Sequence, residues 1–214
     1  MALLAVACSN QVSSTAINSS LNATDERTFV ADTGPGPSPV IEPDVPYQAE
    51  LDGARFETRG WRTDFSRHTV AFKYILSSGV GRDGIPPLDR PQFETIAEAE
   101  SVMDAFQQVV TIEVNGRARG YPLAILTWHE VVNDVVGGVP VVVSFWPLCN
   151  SALPFNQKLE GRVFDFGVSG NLRNSDLIMW DRQTKTWWQQ LTGEGIIGEL
   201  AGYQLSFIPA SIIS

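Results

Sequence analysis

The chain has 214 residues, of which 43% are hydrophobic and 18% charged, so it is long enough to bury a sizeable core. It carries 15 basic and 24 acidic residues, which gives a formal net charge of −9. Because phosphate binding needs clustered lysine and arginine, and the basic residues here are scattered, nucleic acid is not expected as a partner. No run approaches the roughly 20 apolar residues of a membrane-spanning helix, and the composition indicates a globular protein.

The first eight residues are similar to the end of a bacterial lipoprotein signal. They read Met-Ala-Leu-Leu-Ala-Val-Ala-Cys, an apolar stretch with a small residue directly before Cys8. In such signals this cysteine becomes the lipidated first residue of the mature protein. The stretch lacks a basic region and is shorter than the usual length of roughly 15–30 residues, so we interpret 1–8 as a truncated signal. We expect an exported envelope protein that is anchored to a membrane through Cys8, with an ordinary N-terminus as the alternative.

Residues 9–46 are predicted to form a disordered tether. They are rich in Ser, Asn, Thr, Pro and Gly, and they include GPGPSP at 34–39. Such a composition cannot bury enough apolar surface to fold, and it suits a flexible link between membrane and domain. A single β-rich domain is then expected over 47–214. Because its last residues, 209–214, are largely apolar and have no polar cap, we expect this domain to be incomplete at its C-terminus.

The first half of the domain shows one helical signal and one hairpin signal. Apolar residues recur at helical spacing over 93–106, and Thr95 with Glu98 forms a capping box, so the pattern predicts a helix of about three turns. Residues 109–121 alternate as two strands around Asn115-Gly116, a strong signal for a two-residue turn. Residues 123–136 fit a helical face in part, and we interpret them as a short helix that enters a loop.

The second half of the domain is a series of strands. Residues 140–145 are almost wholly apolar, which predicts a strand buried on both faces. Short strands separated by turn residues are predicted to follow at 153–156, 162–168, 177–181, 186–191 and 203–208. The predicted fold is therefore mainly β with minor α (α+β), a meandering antiparallel sandwich or half-open barrel with one or two short helices.

Cys149 is the first candidate for a catalytic residue. It follows the predicted buried strand on a Trp-Pro-Leu-Cys turn, and Pro147 is a poor residue to continue a central strand. A free cysteine is usually a small buried hydrophobe, but bends at strand ends commonly present functional groups. If Cys8 carries lipid, Cys149 has no partner within the chain and a structural disulfide is excluded. A helical turn that begins at 150–151 would stabilise its thiolate.

Histidine and charged side chains supply the remaining candidates. Cys149 with His129 and His68 would form a soft Cys/His site of the kind that selects copper or zinc. Alternatively, His129 would assist catalysis by favouring the thiolate, or both histidines are structural. Arg173 and Asp176 lie in a polar cluster and are candidates for substrate binding, with turn formation and ion pairing as the alternative.

Several long blocks of this sequence match one family in order. They are WRTDFSRHTV (61–70), DGIPPLDRPQF (83–93), the block from Val114 to Ala152 and the block from Phe166 to Gly198. From Trp61 onward the chain closely resembles domain-of-unknown-function family 3179, a bacterial family of envelope proteins. The resemblance implies an exported, often lipid-anchored domain.

The same resemblance draws attention to Trp146. The family pattern typically reads Tyr-Cys-Pro-Leu-Cys where this chain reads Phe145-Trp146-Pro147-Leu148-Cys149. Some members are selenoproteins at this motif, which implies redox chemistry at the position of Trp146. A single thiol cannot cycle alone between dithiol and disulfide. Three interpretations stay open: this member has lost the pair, a recoded UGA codon is involved, or a plain tryptophan fills a core position.

Three functional hypotheses follow from these candidates. The first is a thiol-dependent envelope redox protein centred on Cys149, with an unidentified protein or small molecule as redox partner. The second is a metal-binding or metal-delivery module that uses Cys149 with the histidines. The third is a non-catalytic interaction domain on a lipid tether, in which Cys149 is part of the core. Thiol reactivity separates the first hypothesis from the third, and metal analysis separates the second from both.

Overall fold

The computed structural model describes residues 46–214, and the backbone of residues 6–8. The predicted tether at 9–46 therefore lies outside the described residues except for Pro46. In the described ranges the helices are α1 (Tyr47–Asp52), α2 (Ile96–Glu100) and α3 (Leu123–His129), with a 3-10 turn at Phe72–Tyr74. None of these helices has the length and apolarity that crossing a membrane requires.

The strands account for most of the regular structure. In chain order they are β1 (Val6–Cys8), β2 (Ile75–Ser77), β3 (Leu88–Asp89), β4 (Glu94–Thr95), β5 (Val109–Val114), β6 (Arg117–Pro122), β7 (Val131–Val136), β8 (Val139–Trp146), β9 (Ser151–Asn156), β10 (Lys158–Leu159), β11 (Arg162–Val163), β12 (Phe166–Arg173), β13 (Asp176–Asp181), β14 (Trp187–Gln189), β15 (Gly195–Ile197) and β16 (Ala210–Ile213). The predicted class is confirmed: the domain is mainly β with minor α.

Three sheets build the domain, and a two-stranded ribbon of β10 and β11 is added to them. The strand order is β16-β5-β6-β1-β4 in the first sheet, β3-β7-β8-β9 in the second and β15-β14-β13-β12-β2 in the third. Most neighbouring strands are antiparallel, and the parallel pairs are β1 with β4 and β3 with β7.

The second sheet lies between two hydrophobic cores. One core joins it to the third sheet and contains Val142, Trp146 and Leu177. The other joins it to the first sheet and contains Val141 and Val143. Successive residues of β8 therefore enter different cores, since side chains alternate along a strand. This explains why β8 is almost wholly apolar and buried on both faces, as the sequence predicted.

The third sheet also has two buried faces. Leu177 and Met179 of β13 point to the core shared with the second sheet, whereas Ile178 and Trp180 enter a separate core. Segments that precede β3 cover this outer face, with Phe56, Phe65 and Phe72 among the buried residues. The functional candidates at 146–149 and 173–176 thus belong to the two sheets that share the first of these cores.

Two local sequence signals, one for a hairpin turn and one for a helix start, are confirmed by the structure. Asn115 and Gly116 join β5 to β6 with φ values of 51° and 69°. Two successive positive φ values are typical of the type I′ turn, which matches the twist of a hairpin. The capping box of Thr95 and Glu98 is also present at the start of α2.

Four predicted elements differ from the structure. The predicted strand at 162–168 is divided into β11 and the start of β12, because the Phe164 N–H donates to the Gln157 carbonyl outside either strand. The helix over 93–106 shrinks to α2, because Ala99 is its only buried residue, while Val102 and Phe106 are 64% and 90% exposed. In 123–136 only the first half is helical, and the valine-rich second half pairs with β8 as β7. Residues 203–208 form isolated bridges, at Gln204 and Phe207, instead of a strand. Their backbone bonds go to separate partners, so no continuous ladder forms.

Candidate functional site

The Cys149 loop connects β8 to β9. β8 ends at Trp146, as the position of Pro147 predicted, and Ser151 pairs directly with Trp146 at the start of β9. Within the loop the Cys149 N–H donates to the Trp146 carbonyl at 3.3 Å, and the Asn150 N–H donates to the Pro147 carbonyl at 3.2 Å. The expected helical turn at 150–151 is not formed, because the chain reverses at once into β9. The amide of Asn150 is thus already engaged and does not serve a thiolate.

One carbonyl oxygen contacts both residues of the sequence motif. The Trp146 Nε1 donates to the Ser175 carbonyl at 2.7 Å, and the Cys149 Sγ lies 3.9 Å from the same oxygen. Ser175 and Asn174 form the two-residue turn between β12 and β13, with φ values of 65° and 52°. This turn therefore holds the end of β8 and the thiol together. Cys149 itself is exposed and is the free cysteine among the described side chains.

Arg173 and Asp176 are brought to the same place. They face each other across β12 and β13, on either side of the Asn174-Ser175 turn. The Arg173 Nη1 donates to the Gln189 Oε1 at 3.2 Å, and the Gln189 Nε2 donates to the Asp176 Oδ2. Asp176 is 1% exposed, and burial raises the pKa of its carboxyl above the ordinary value. These contacts link the two side chains through Gln189 beside the Asn174-Ser175 turn and so stabilise it. The Asp176 Oδ1 has no hydrogen-bond partner among the described residues.

The contacts of the two histidines are with other parts of the chain than the Cys149 loop. His68 is buried with its ring centroid 4.5 Å from that of Phe72, and its Nδ1 is 3.0 Å from the Val70 carbonyl oxygen. His129, at the end of α3, has its Nδ1 2.7 Å from the Pro86 carbonyl oxygen. Among the described residues no group of three or more His, Cys, Asp or Glu side chains is placed to hold a metal ion. The geometry therefore gives no support to a site made of Cys149, His129 and His68.

Glu130 is a residue that sequence reasoning missed. It links α3 to β7 with φ 57°, its N–H donates to the Leu126 carbonyl at 2.7 Å, and its own carbonyl accepts from the Phe145 N–H at 2.7 Å. Its side chain is 4% exposed, and the Oε2 has no hydrogen-bond partner in the described part of the chain. Burial raises the pKa of this carboxyl to about 7. The available signal was an acidic residue placed directly before a valine-rich strand.

Glu130 and Trp146 line one small cavity. Its volume is about 90 Å³, and its remaining wall is largely apolar, formed by residues that include Ile85, Val168, Leu172 and Leu177. Trp146, the last residue of β8 before the Cys149 loop, shares this cavity with Glu130. A carboxyl group that binds a proton near neutral pH thus lies beside the strand end that presents the thiol. Perturbed carboxyl groups in cavities are frequent at functional sites.

The fold and this site together define an α+β domain, mainly β, that presents an exposed thiol, Cys149, on a hairpin loop. Residues 82–214 match the family model described as "Protein of unknown function (DUF3179)", and the chain belongs to this family. The match begins at residue 82, whereas the sequence blocks suggested a start at Trp61. No match was found among the curated proteins or among the solved structures.

Proposed function

We propose that this protein is a thiol-dependent redox protein and that the Cys149 sulfur is its reacting atom. The observation that carries the proposal is the exposure of Cys149 on a hairpin loop whose position is fixed by the Ser175 carbonyl. A cysteine retained only for packing is expected in the interior, where this residue type usually lies. Trp146, which directly precedes the loop, is buried and donates a hydrogen bond to the Ser175 carbonyl. The start of the loop that presents the thiol is therefore fixed in the core.

The chemistry that one thiol supports is thiol–disulfide exchange with a separate molecule. The Cys149 thiolate attacks one sulfur of a partner disulfide, a new S–S bond forms, and the other partner sulfur leaves as a thiolate. Cys149 is oxidised in this step and the leaving sulfur is reduced. A second thiol, supplied by the partner or by a small-molecule thiol, then attacks the mixed disulfide and releases Cys149. The co-reactant is therefore a disulfide of an exported protein or of a small thiol compound.

The reactivity of Cys149 tests this proposal directly. In a Cys8→Ser background, a small aromatic disulfide reagent is expected to release one thiolate per native chain, and Cys149→Ser is expected to abolish the release. A matched control is Ala105→Cys in the Cys149→Ser chain, because Ala105 is also exposed in a turn. Cys149 is expected to react at least as fast as this control thiol, because its side chain is exposed in the native chain.

The contrary results are equally definite. The redox proposal fails if Cys149 reacts only after the chain is unfolded, or if it reacts more slowly than the control thiol at position 105. Cys149→Ser is expected to leave the free energy of unfolding nearly unchanged, since the side chain is exposed. A large loss of stability in this variant would instead assign the cysteine to packing, as the interaction-domain hypothesis requires.

We further propose that the protein is exported and anchored in the cell envelope through lipid on Cys8. The support comes from the apolar stretch that ends at Cys8 and from the composition of the residues that follow it. Cleavage before Cys8 would remove two of the three residues of β1, which pairs with β6 and β4. The proposal therefore implies that the lipidated protein lacks most of this pairing.

The lipid anchor is tested in a chain that is expressed with a full-length lipoprotein signal before Cys8. Cys8→Ala is expected to move the protein from the membrane fraction to the soluble fraction, while Cys149→Ala serves as the matched control and stays with the membrane. Fractionation with immunodetection measures the distribution. Membrane association of Cys8→Ala equal to that of the control would contradict the lipid anchor.

A further inference from the structure

A second cavity adjoins the one that Glu130 lines. Its volume is about 320 Å³, and it is bordered by Arg59, Arg82, Glu57 and a loop that contains Gly79 and Gly81. We call it the arginine pocket. It shares Val80 and Asn171 with the Glu130 cavity. Its size falls at the lower end of the range of about 300–1,000 Å³ that is typical of small-molecule sites.

Arg82 is held in the pocket wall by two tryptophans. Its guanidinium carbon lies 4.8 Å from the centroid of the Trp61 ring and 5.2 Å from that of the Trp180 ring. Its Nη1 donates to the Gly60 carbonyl at 3.2 Å. A guanidinium has five N–H donors in one plane, and the contacts with two aromatic rings restrict where that plane can lie. Most donors of Arg82 therefore remain free of acceptors within the described residues.

The loop that carries Arg82 is fixed against β12. The Asp83 N–H donates to the Val168 carbonyl at 2.8 Å, and the Asp83 Oδ1 accepts from the Val168 N–H and the Trp180 Nε1, both at 3.0 Å. Gly170, with φ 76°, allows a further close approach, because a Cβ there would lie 2.0 Å from the Val80 carbonyl oxygen. The position of Arg82 is thus set before any ligand arrives, which lowers the entropic cost of binding.

The charge of the arginine pocket differs in sign from that of the chain. Two arginines and one glutamate line it, whereas the formal net charge of the chain is −9. None of the three forms an ion pair with another described residue. Two buried polar residues, Ser169 and Asn171, add neutral hydrogen-bonding groups to the wall. A pocket with one net positive charge fits a singly charged anion better than a doubly charged one.

We propose that the arginine pocket binds a small molecule through a carboxylate group, which the planar fork of Arg82 receives in bidentate geometry. Arginine and carboxylate match in shape, and such paired hydrogen bonds to charged groups are among the strongest in proteins. Arg59 adds long-range attraction, and Glu57 disfavours dianions. This binding site is independent of the chemistry proposed for Cys149.

The test is a titration of the full chain with sodium acetate at pH 7, with sodium chloride at matched ionic strength as the reference. The indole N–H resonances of Trp61 and Trp180 report binding, because both rings contact Arg82. Acetate is expected to give saturable shifts that chloride does not give. Arg82→Lys is expected to weaken binding about tenfold, since Lys keeps the charge but loses the fork, and Arg82→Gln is expected to weaken it further because it loses both.

Controls separate this site from general anion effects. Arg162→Gln is the matched control, because Arg162 also lies over an aromatic ring, at 5.0 Å from the Phe164 centroid, and pairs with Glu199 outside the pocket. It is expected to leave acetate binding unchanged. Arg59→Gln, at an exposed position, should weaken acetate binding severalfold. This variant replaces the Arg82 variants as the test of the pocket if those fold poorly. Shifts that do not saturate, that survive Arg82→Gln, or that phosphate produces at lower concentration than acetate would overturn the carboxylate site.

Discussion

Trp146→Ala is expected to lower the free energy of unfolding by about 3–5 kcal/mol, the usual cost of deleting a large aromatic side chain from a packed core. Trp146 is 7% exposed and belongs to the core between the second and third sheets, together with Val142 and Leu177. The substitution also removes the donor to the Ser175 carbonyl, so the end of β8 loses its attachment to the β12–β13 turn. Denaturant unfolding followed by far-ultraviolet circular dichroism measures the loss.

Two further variants separate packing from hydrogen bonding. Trp146→Phe keeps most of the buried ring but lacks the donor, so we expect a smaller loss of about 1–2 kcal/mol. Trp128→Ala is the control, because Trp128 is 78% exposed and its removal should have little effect on stability. A loss below about 1 kcal/mol for Trp146→Ala would show that this tryptophan is not a core residue. Its contacts favour the interpretation of Trp146 as a plain tryptophan that fills the core.

Stability is expected to fall as the pH rises from about 4.5 towards 7 and above, and Glu130→Gln is expected to remove much of this fall. Burial raises the folded-state pKa of Glu130 from 4.5 to about 7, so the folded state binds a proton more tightly than the unfolded state. Its contribution is fully present below the unfolded pKa and is lost as the pH rises through the folded pKa. Allowing for solvent screening, the change is about 2 kcal/mol.

Free energies of unfolding measured at intervals from pH 4.5 to pH 8 test this prediction. Glu130→Gln should be more stable than the parent chain at pH 8, because a neutral amide replaces a buried charge. Glu100→Gln is the control at an exposed position and should follow the parent curve. Asp134 and Asp176 also have pKa values raised by burial, so a residual slope of the same sign will remain in Glu130→Gln. Identical slopes in the Glu130→Gln and parent chains would exclude Glu130 as the titrating group.

Features that depend on neighbouring residues in the sequence were predictable. The Asn115-Gly116 turn, the capping box of Thr95 and Glu98, and the end of β8 before Pro147 all have local physical causes. The doubly buried β8 was predictable as well, because a strand between two cores has no polar face. The helix over 93–106 was overestimated, since periodicity shows where an apolar stripe lies but not whether another element covers it.

Most of the candidate site depends on tertiary contacts. The sequence indicated Cys149 and Trp146, but it did not indicate the Ser175 carbonyl that contacts both, because a backbone acceptor has no residue-type signal. Glu130 was missed for a similar reason: its altered pKa comes from the apolar wall that other strands build around it. Arg82 became a candidate only when the structure placed its guanidinium against the rings of Trp61 and Trp180.

The placement of β8 between two cores restricts how this domain can diverge. A one-residue insertion within the strand would reverse the facing of every residue beyond it. Val142 and Trp146 would then exchange cores with Val141 and Phe145, so both cores would be repacked at once. We therefore expect insertions and deletions to be tolerated in the loops at either end of β8 and not within the strand. One of these loops carries Cys149. Related chains can change the length and chemistry of that loop while the strand beneath it keeps its register.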